Sequence, residues 1–229
     1  MVKRKTILFV SEALLLKELL LDQLQKQGEY LLEESLSVTE AISLIVKEHF
    51  DCILIDSSLA DVSLSNLCKN IRQEGVRSPI ILVAEELGED GAIVALDAGA
   101  NDYVLKPFKI NVLVAKIRSN IRQFEQSEFA ILRFGRFSFK PGDKILLNNS
   151  SKEEVRLTDK ETAIIKLLYL SGGEVVTRAT LLEEVWGYNT TLTTHTLETH
   201  IYRIRQKVGN ASSGQDFIAT ESEGYRMQF

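Results

Sequence analysis

Asp56 closes the run "DCILID", in which residues 52–55 read as a buried strand that ends on a charge. A turn acid would account for such an ending, since Asp is common in turns. Other strand ends point to chemistry instead. The first strand pattern ends "VSE", at Ser11 and Glu12, and the fourth ends at Ala84 and Glu85. The run "YVLKPF" sets Lys106 beside a turn fixed by Pro107. If these ends share one edge, Glu12 and Asp56 can hold Mg²⁺ through oxygen ligands. The Lys106 ammonium can then neutralise a transferred phosphoryl group, and Asp56 becomes a phosphate acceptor. The competing reading is a purely structural Asp56–Lys106 ion pair.

A second set of residues suits nucleic acid. Across residues 194–208, Leu197, Ile201, Ile204 and Val208 recur at spacings of four, three and four, one core stripe of a helix. The opposite face carries His195, Thr199, Tyr202, Arg203 and Gln206, flanked by Arg205 and Lys207. A bidentate Arg reads guanine, Gln reads adenine, and a Thr methyl touches thymine. A merely solvated face is the alternative.

The elements that must position these groups follow from periodicity. In the first half, strand patterns ("KTILFV", residues 30–34, "DCILID", "PIILVA", "DYVL") alternate with helix patterns (13–27, "AISLIVKEHF", "VSLSNLCKNIRQEG", 89–98 and 110–123), with Gly28, Gly75 and Gly99 as stops. That alternation predicts a parallel sheet covered by helices on both faces. Right-handed crossovers then bring all strand C-terminal ends to one edge. After residue 123, "QFEQSEFA" reads as a linker. Four short β-like segments follow, with turns at Pro141-Gly142 and Asn148-Asn149. Three helix patterns come next, the first opening on a Thr158–Glu161 capping box. A closing hairpin surrounds "ESEG". Three helices and a hairpin are the order of a winged helix-turn-helix.

With 229 residues the chain has room for two domains, and 45% apolar with 26% charged residues is ordinary globular composition. No apolar stretch reaches the length of a membrane span. The basic-then-apolar start reads as a first strand and not as a signal peptide. Cys52 and Cys68 match no metal or redox spacing, so reduced thiols and the cytoplasm are expected. A net charge of −5 confines any nucleic-acid surface to a local patch.

Residues 5–123, with "YVLKPF", resemble a bacterial response-regulator receiver domain. Residues 131–229, with "LTDKETAIIKLL", "LLEEVWGY", "HTLETHIYRIRQKVG" and "EGYRM", resemble the DNA-binding domain of the OmpR/PhoB family. The resemblance implies a doubly wound, flavodoxin-like receiver with a five-stranded parallel sheet over residues 1–123 and a linker at 124–130. A winged helix-turn-helix with an N-terminal antiparallel sheet follows over 131–229. It retains the acceptor Asp56, Lys106 and the switch aromatic Tyr103. It departs where the family has two acids after the first strand: here stand Ser11 and Glu12, with Glu12 at the direct Mg²⁺ position. It departs again at Ala84, where the family has a Thr or Ser hydroxyl that pulls the switch, and in "SSLADVS", which lacks the usual Pro. A weakened metal site and weak phosphate coupling are expected.

In the second domain the resemblance gives Trp186, His195, His200 and Tyr225 as backbone contacts and Arg203 as the main base contact. Thr220 is a candidate backbone donor, and Lys207, which flanks the reading face, a candidate phosphate contact. Glu221 and Glu223 make the wing acidic, so it should repel DNA. For the receiver, relatives pair through the fourth helix, fifth strand and fifth helix. Here that surface would use Ile93, Leu113 and Ile117 as apolar centres, the alternative for each being an ordinary inward-facing core position, with Asp97 and Asp102 opposite Lys116, Arg118 and Arg122. Asn101 and Val112 stand where acids are usual, which thins the ionic ring.

These readings predict a cytoplasmic DNA-binding transcription regulator that dimerises with little dependence on phosphorylation and requires no cofactor. Two alternatives are a conventional regulator phosphorylated on Asp56 by a histidine kinase and an interaction module whose winged helix no longer binds DNA. An enzyme is disfavoured: no glycines follow the first strand as nucleotide binding would need, and Ser58 stands where an Asp-nucleophile phosphatase has its second acid.

Overall fold

The computed structural model describes residues 4–59, 63–85, 89–187, 194–209 and 217–229. Val62 at the start of the third helix pattern, positions 60–62 of the segment after Asp56, and Asp216 of the hairpin pattern lie outside them. The chain divides into two compact units, Arg4–Gln126 and Ser127–Phe229.

The first unit holds a five-stranded parallel sheet: β1 (Lys5–Val10), β2 (Tyr30–Ser35), β3 (Cys52–Asp56), β4 (Ile80–Ala84) and β5 (Asp102–Leu105). The strand order is β2-β1-β3-β4-β5, the flavodoxin-like arrangement. Strands buried on both faces need continuous apolar runs rather than alternation, and β3 and β4 are buried at every position. Alternate residues serve opposite cores. Leu8, Val10, Ile53, Ile55, Ile80 and Leu82 pack under α2 (Val38–Lys47), α3 (Leu64–Gln73) and α4 (Glu89–Asp97). Ile7, Phe9, Leu54, Ile81 and Val83 pack under α1 (Leu14–Gln27) and α5 (Ile110–Gln126).

Two boundaries differ from the sequence reading. Helix α2 begins at Val38, three residues before the apolar pattern, because Ser37 caps it: its hydroxyl accepts from the Glu40 N–H. Helix α5 continues to Gln126, into the stretch expected to be linker. There the Lys5 ammonium reaches Glu125 and ties the last turn to β1.

In the second unit β6 (Leu132–Phe134), β7 (Phe137–Lys140), β8 (Ile145–Asn148) and β9 (Glu154–Arg156) form an antiparallel sheet in sequence order. Helices α6 (Asp159–Leu170), α7 (Arg178–Trp186) and α8 (Thr194–Gly209) follow, then β11 (Ile218–Thr220) and β12 (Gly224–Met227). The Thr158–Glu161 capping box is complete in both directions. The sequence reading lacked β10 (Val176–Thr177), a two-residue strand that pairs with β12 and makes the hairpin a three-stranded sheet, β10-β12-β11. Two residues carry no readable period, so only the partner strand defines them.

That pairing makes Gly224 a steric requirement. A Cβ at this position would lie 1.9 Å from the Val176 carbonyl oxygen, a backbone atom that cannot swing away. At Gly172 a Cβ would meet open space, and the cost is only that of its φ of 66°. Gly224→Ala should therefore lower unfolding stability by about 3 kcal/mol or more, and Gly172→Ala by about 1 kcal/mol. Urea denaturation of the two variants checks the ordering, and equal losses would contradict it.

Candidate functional site

The C-terminal edge of the parallel sheet brings together the residues singled out in the sequence. β3 pairs with β4 so that Asp56 lies opposite Val83, and Ala84 lies opposite Leu105. The Lys106 N–H donates to the Ala84 carbonyl at 2.7 Å and carries the lysine round the edge. The Lys106 ammonium donates to Asp56 Oδ1 at 2.8 Å, the Ser58 N–H donates to the same oxygen at 3.1 Å, and the Ser11 hydroxyl donates to Oδ2 at 3.0 Å. Ser11 Oγ in turn accepts from the Ala13 N–H at 2.9 Å.

Asp56 is 0% exposed, so burying it demands both a counter-charge and hydrogen bonds. It has them on both oxygens. Ser11, also buried, stands where the expected pattern has an acid, and a second carboxylate there would repel Asp56, whereas the hydroxyl donates to it. Glu12 is exposed and joins no hydrogen bond with Asp56. Among the described residues no three His, Cys, Asp or Glu side chains converge to hold a metal. Asp56 Oδ1 already accepts two hydrogen bonds and Oδ2 one, and Ser11 brings no second carboxylate to the edge. Ala84 is buried and offers no hydroxyl. Tyr103 is partly buried against the core under α2 to α4. Burial pushes both cysteine thiols up, that of Cys68 to about 11, which keeps them protonated and unreactive.

The residues expected at a pairing face divide differently from the sequence reading. Leu113 and Ile117 are 0% exposed and belong to the core under α1 and α5; apolar helix positions face inward, and these two do. Ile93 is exposed, as are Val94, Leu105 and Val112. Asp102 is engaged within its own chain, accepting from Lys116 at 2.7 Å and from Asn120 at 3.2 Å. Asp97, Arg118 and Arg122 are exposed. Asn101 turns to the Arg72 guanidinium and the Ile80 N–H.

On α8 the stripe Leu197, Ile201, Ile204 and Val208 is buried as expected. His195, Tyr202, Arg203 and Gln206 are exposed. Thr199 donates its hydroxyl to the His195 carbonyl at 2.9 Å. Trp186 is half core and half surface: it packs against the buried cluster while the Lys160 ammonium lies 5.4 Å over its ring and His200 lies 5.3 Å from it.

Three expectations require correction. Lys207 is not free for a phosphate: its ammonium donates to buried Glu161 at 2.6 Å and to the Arg156 carbonyl at 3.0 Å. A buried carboxylate without a cation is costly, and Lys207 supplies the cation while tying α8 to the start of α6. Burial alone would raise the Glu161 carboxyl, but the bonds from Lys207 and Thr158 outweigh it and hold it below the usual carboxylate range. Tyr225 is a core residue, 3% exposed, with the Arg178 guanidinium 5.2 Å over its ring. The wing, finally, is less acidic than its sequence suggested. Arg226 pairs with Glu221 at 2.7 Å, and Arg178 donates to the Ser222 carbonyl at 2.9 Å. Arg205 donates to the Ile218 carbonyl at 2.7 Å and to Thr220 Oγ1 at 2.9 Å, so Thr220 is an acceptor bracing wing to helix. Sequence reasoning missed Arg178 and Arg226 because their partners lie on other elements, and no local spacing announces them.

This geometry separates reading from positioning on α8. Arg203→Ala should cost about 1–3 kcal/mol on a specific duplex and relax base choice at one position. Lys207→Met should weaken every duplex alike and leave the dependence of affinity on salt unchanged, because no phosphate contact is lost. A phosphate contact would change the log–log slope by about 0.9. Binding titrations over a salt series distinguish the two, and such a drop for Lys207→Met would refute the internal role.

Comparison with known proteins agrees with both halves of the chain. Residues 7–118 match the response regulator receiver domain, and residues 152–227 match the C-terminal domain of transcriptional regulatory proteins. A probable transcriptional regulator, ycf27 of Porphyridium aerugineum, is 31% identical over 82% of this chain and 82% of its own. The transcriptional regulatory protein PmrA of Pectobacterium parmentieri is 30% identical over 89% and 90%. YxdJ of Bacillus subtilis is 26% identical over 97% of both chains. Among solved structures, DrrB of Thermotoga maritima, an OmpR/PhoB homolog, is 23% identical with a TM-score of 0.48 over 99% of this chain and 100% of that one. These relatives are regulators and not enzymes. The chain belongs to the response regulators in which a receiver domain is joined to a transcriptional regulatory DNA-binding domain of the OmpR/PhoB type.

Proposed function

We propose that this response regulator binds specific DNA as a dimer whether or not Asp56 is phosphorylated. The observation that carries the reading is the hydrogen bond from Ser11 to buried Asp56, beside an Ala84 that has no hydroxyl. A phosphoryl group bonded to Asp56 Oδ2 would displace the Ser11 contact, and one bonded to Oδ1 would displace the Lys106 and Ser58 contacts. It would add about −1.5 to −2 charges at an edge to which Ser11 brings no second carboxylate. No hydroxyl on β4 would then pull Tyr103. On this reading the Asp56–Lys106 pair is a structural strut, no cofactor is required and no kinase is needed for activity.

Pairing then rests on apolar burial. Ile93, Val94, Leu105 and Val112 expose apolar side chains on α4, β5 and α5. Covering them returns about 25 cal/mol per Å² with no phosphate in the balance. Exposed Asp97, Arg118 and Arg122 supply charges for the rim, while Lys116 and Asp102 satisfy each other. Two linked winged helices gain affinity through effective concentration, which suits a reading helix with few spare cations. The cytoplasm, where DNA lies and thiols stay reduced, is the compartment this function requires. No described helix is long and apolar enough to cross a membrane.

A conventional, phosphorylation-driven regulator is the second reading, favoured by the retained Lys106–Asp56 contact of 2.8 Å. Full-length protein decides between them. Treatment with acetyl phosphate and Mg²⁺ should leave DNA affinity within about threefold, and Asp56→Asn should bind like wild type. Sedimentation should show a dimer at tens of micromolar, roughly the range of 6 kcal/mol of association, and Ile93→Glu should dissociate it. A monomer that dimerises and tightens on DNA only after acetyl phosphate would establish the conventional reading.

A further inference from the structure

The run Phe134-Gly135-Arg136-Phe137 turns β6 into β7. Gly135, at a φ of 50°, lets the chain reverse in two residues, and the reversal sets Phe134 directly opposite Phe137. Cross-strand partners share a face of the sheet, so the two rings meet, 5.9 Å between centres. Phe217, just before β11, closes on both, at 5.0 Å and 5.4 Å. These three buried rings, with Arg136, Gln228 and Phe229, line a cavity of about 430 Å³. Ligand pockets span roughly 300–1,000 Å³ and combine apolar walls with a few fixed polar groups.

The charge in this lining has one sign. Arg136 is only partly exposed, and its guanidinium carbon lies 5.4 Å from the centre of the Phe137 ring. Among the described residues that guanidinium makes no hydrogen bond or ion pair, although it carries five N–H donors and a permanent charge. No acid lines the cavity. Exposed Gln228 adds an amide, and its backbone is fixed by donation of its N–H to the Phe217 carbonyl at 2.8 Å. Phe229 is set by an edge contact with Tyr169 at 5.6 Å. A cation without an anion, beside aromatic walls, selects a planar ring that carries a negative group. Aromatic rings pair at about 4.5–7 Å between centres, a carboxylate matches the guanidinium fork with two hydrogen bonds, and a cationic ligand would meet only repulsion.

We propose that this cavity binds a small aromatic carboxylate, its ring among the phenylalanines and its carboxylate on Arg136, and that the ligand acts on DNA binding through the wing. Phe217 is the link. Its neighbour Ile218 accepts from Arg205 of α8 at 2.7 Å, and Arg205 also donates to Thr220 of the wing at 2.9 Å. A ligand that shifts Phe217 therefore shifts the bonds that hold α8 to the wing. The site would give an input to a regulator that takes little from Asp56. The coupling rests on the DNA-binding reading, and the site itself does not.

Titration of ¹⁵N-labelled full-length protein with benzoate and 1-naphthoate, and with their neutral amides, tests the site. The acids should move the backbone amide signals of Gly135, Arg136, Gln228 and Phe229 and bind in the millimolar range or tighter, about what the ligand efficiency of so few atoms allows. The amides should bind about tenfold more weakly, as for the loss of one hydrogen bond to a charged group. Arg136→Met keeps a stem over Phe137 and should keep wild-type thermal stability while losing the preference for acid over amide. On a duplex selected by the protein from a random-sequence pool, saturating 1-naphthoate should change wild-type affinity by about fivefold or more, the low end of allosteric coupling, and leave Arg136→Met unchanged. Absence of shifts at these residues at about 10 mM acid, or equal binding of acid and amide, would overturn the proposal. So would ligand-free Arg136→Met whose salt slope on the duplex falls by about 0.9, which marks a phosphate contact. Acids that bind without moving duplex affinity refute the coupling through Phe217. If the wild type selects no duplex, the DNA-binding reading itself fails, and the titration still decides the site.

Discussion

A carboxylate with no exposed surface has to find its counter-charge and its hydrogen bonds inside the protein, and Asp56 finds all of them at one sheet edge. Lys106, the Ser58 N–H and the Ser11 hydroxyl each come from a different strand end or the turn after it. Parallel topology makes this possible, because right-handed crossovers deliver every strand C-terminus to the same rim. The pocket and the sheet depend on each other. The charge holds β1, β3 and the β5 turn together, and the five strands remove that charge from water. In a receiver that must accept a phosphoryl group, the same edge keeps oxygens open for a metal and a hydroxyl ready on β4. Here one acid position has become a donor to Asp56, and the hydroxyl position is a buried methyl.

The second unit follows the same logic of internal satisfaction. Lys207 and Arg205 lie on α8 among side chains suited to DNA, yet both are bonded inward, to Glu161 and to the Ile218 carbonyl. They fix α8 against α6 and against the wing. Arg203, Gln206, His195 and Tyr202 remain exposed. One ion pair, Lys207–Glu161, and the Arg205 bonds to the Ile218 carbonyl and Thr220 tie the C-terminal half of α8 to its neighbours. Arg226 of β12 pairs with Glu221, and Arg178 of α7 braces the turn through the Ser222 carbonyl.

Most of the architecture was legible in the sequence because it rests on periodicity. Runs such as "DCILID" and the α8 stripe carry their own signal, and the capping box at Thr158 announces its helix. The receiver pocket was legible in its residues but not in its bonding. That Ser11 would donate to Asp56 depends on a rotamer, and a sequence gives the residue without the direction. At Leu113 and Ile117 the sequence left pairing face and core open, because an apolar helix residue looks the same from either side, and the structure places both in the core. Lys207 was misread for a related reason: its partner lies 46 positions away, and only the packing of α8 on α6 brings them together. Strand β10 stayed hidden because two residues hold no period.

The central claim is that Ser11 and Ala84 remove the phosphate response from an otherwise intact receiver. Mass spectrometry of the intact Ser11→Asp/Ala84→Thr double variant, beside wild type, after exposure to acetyl phosphate and Mg²⁺ tests it most directly. The account predicts substantial addition of one phosphoryl group to the double variant and little to wild type. Stoichiometric modification of wild type, or none in a folded double variant, would contradict it.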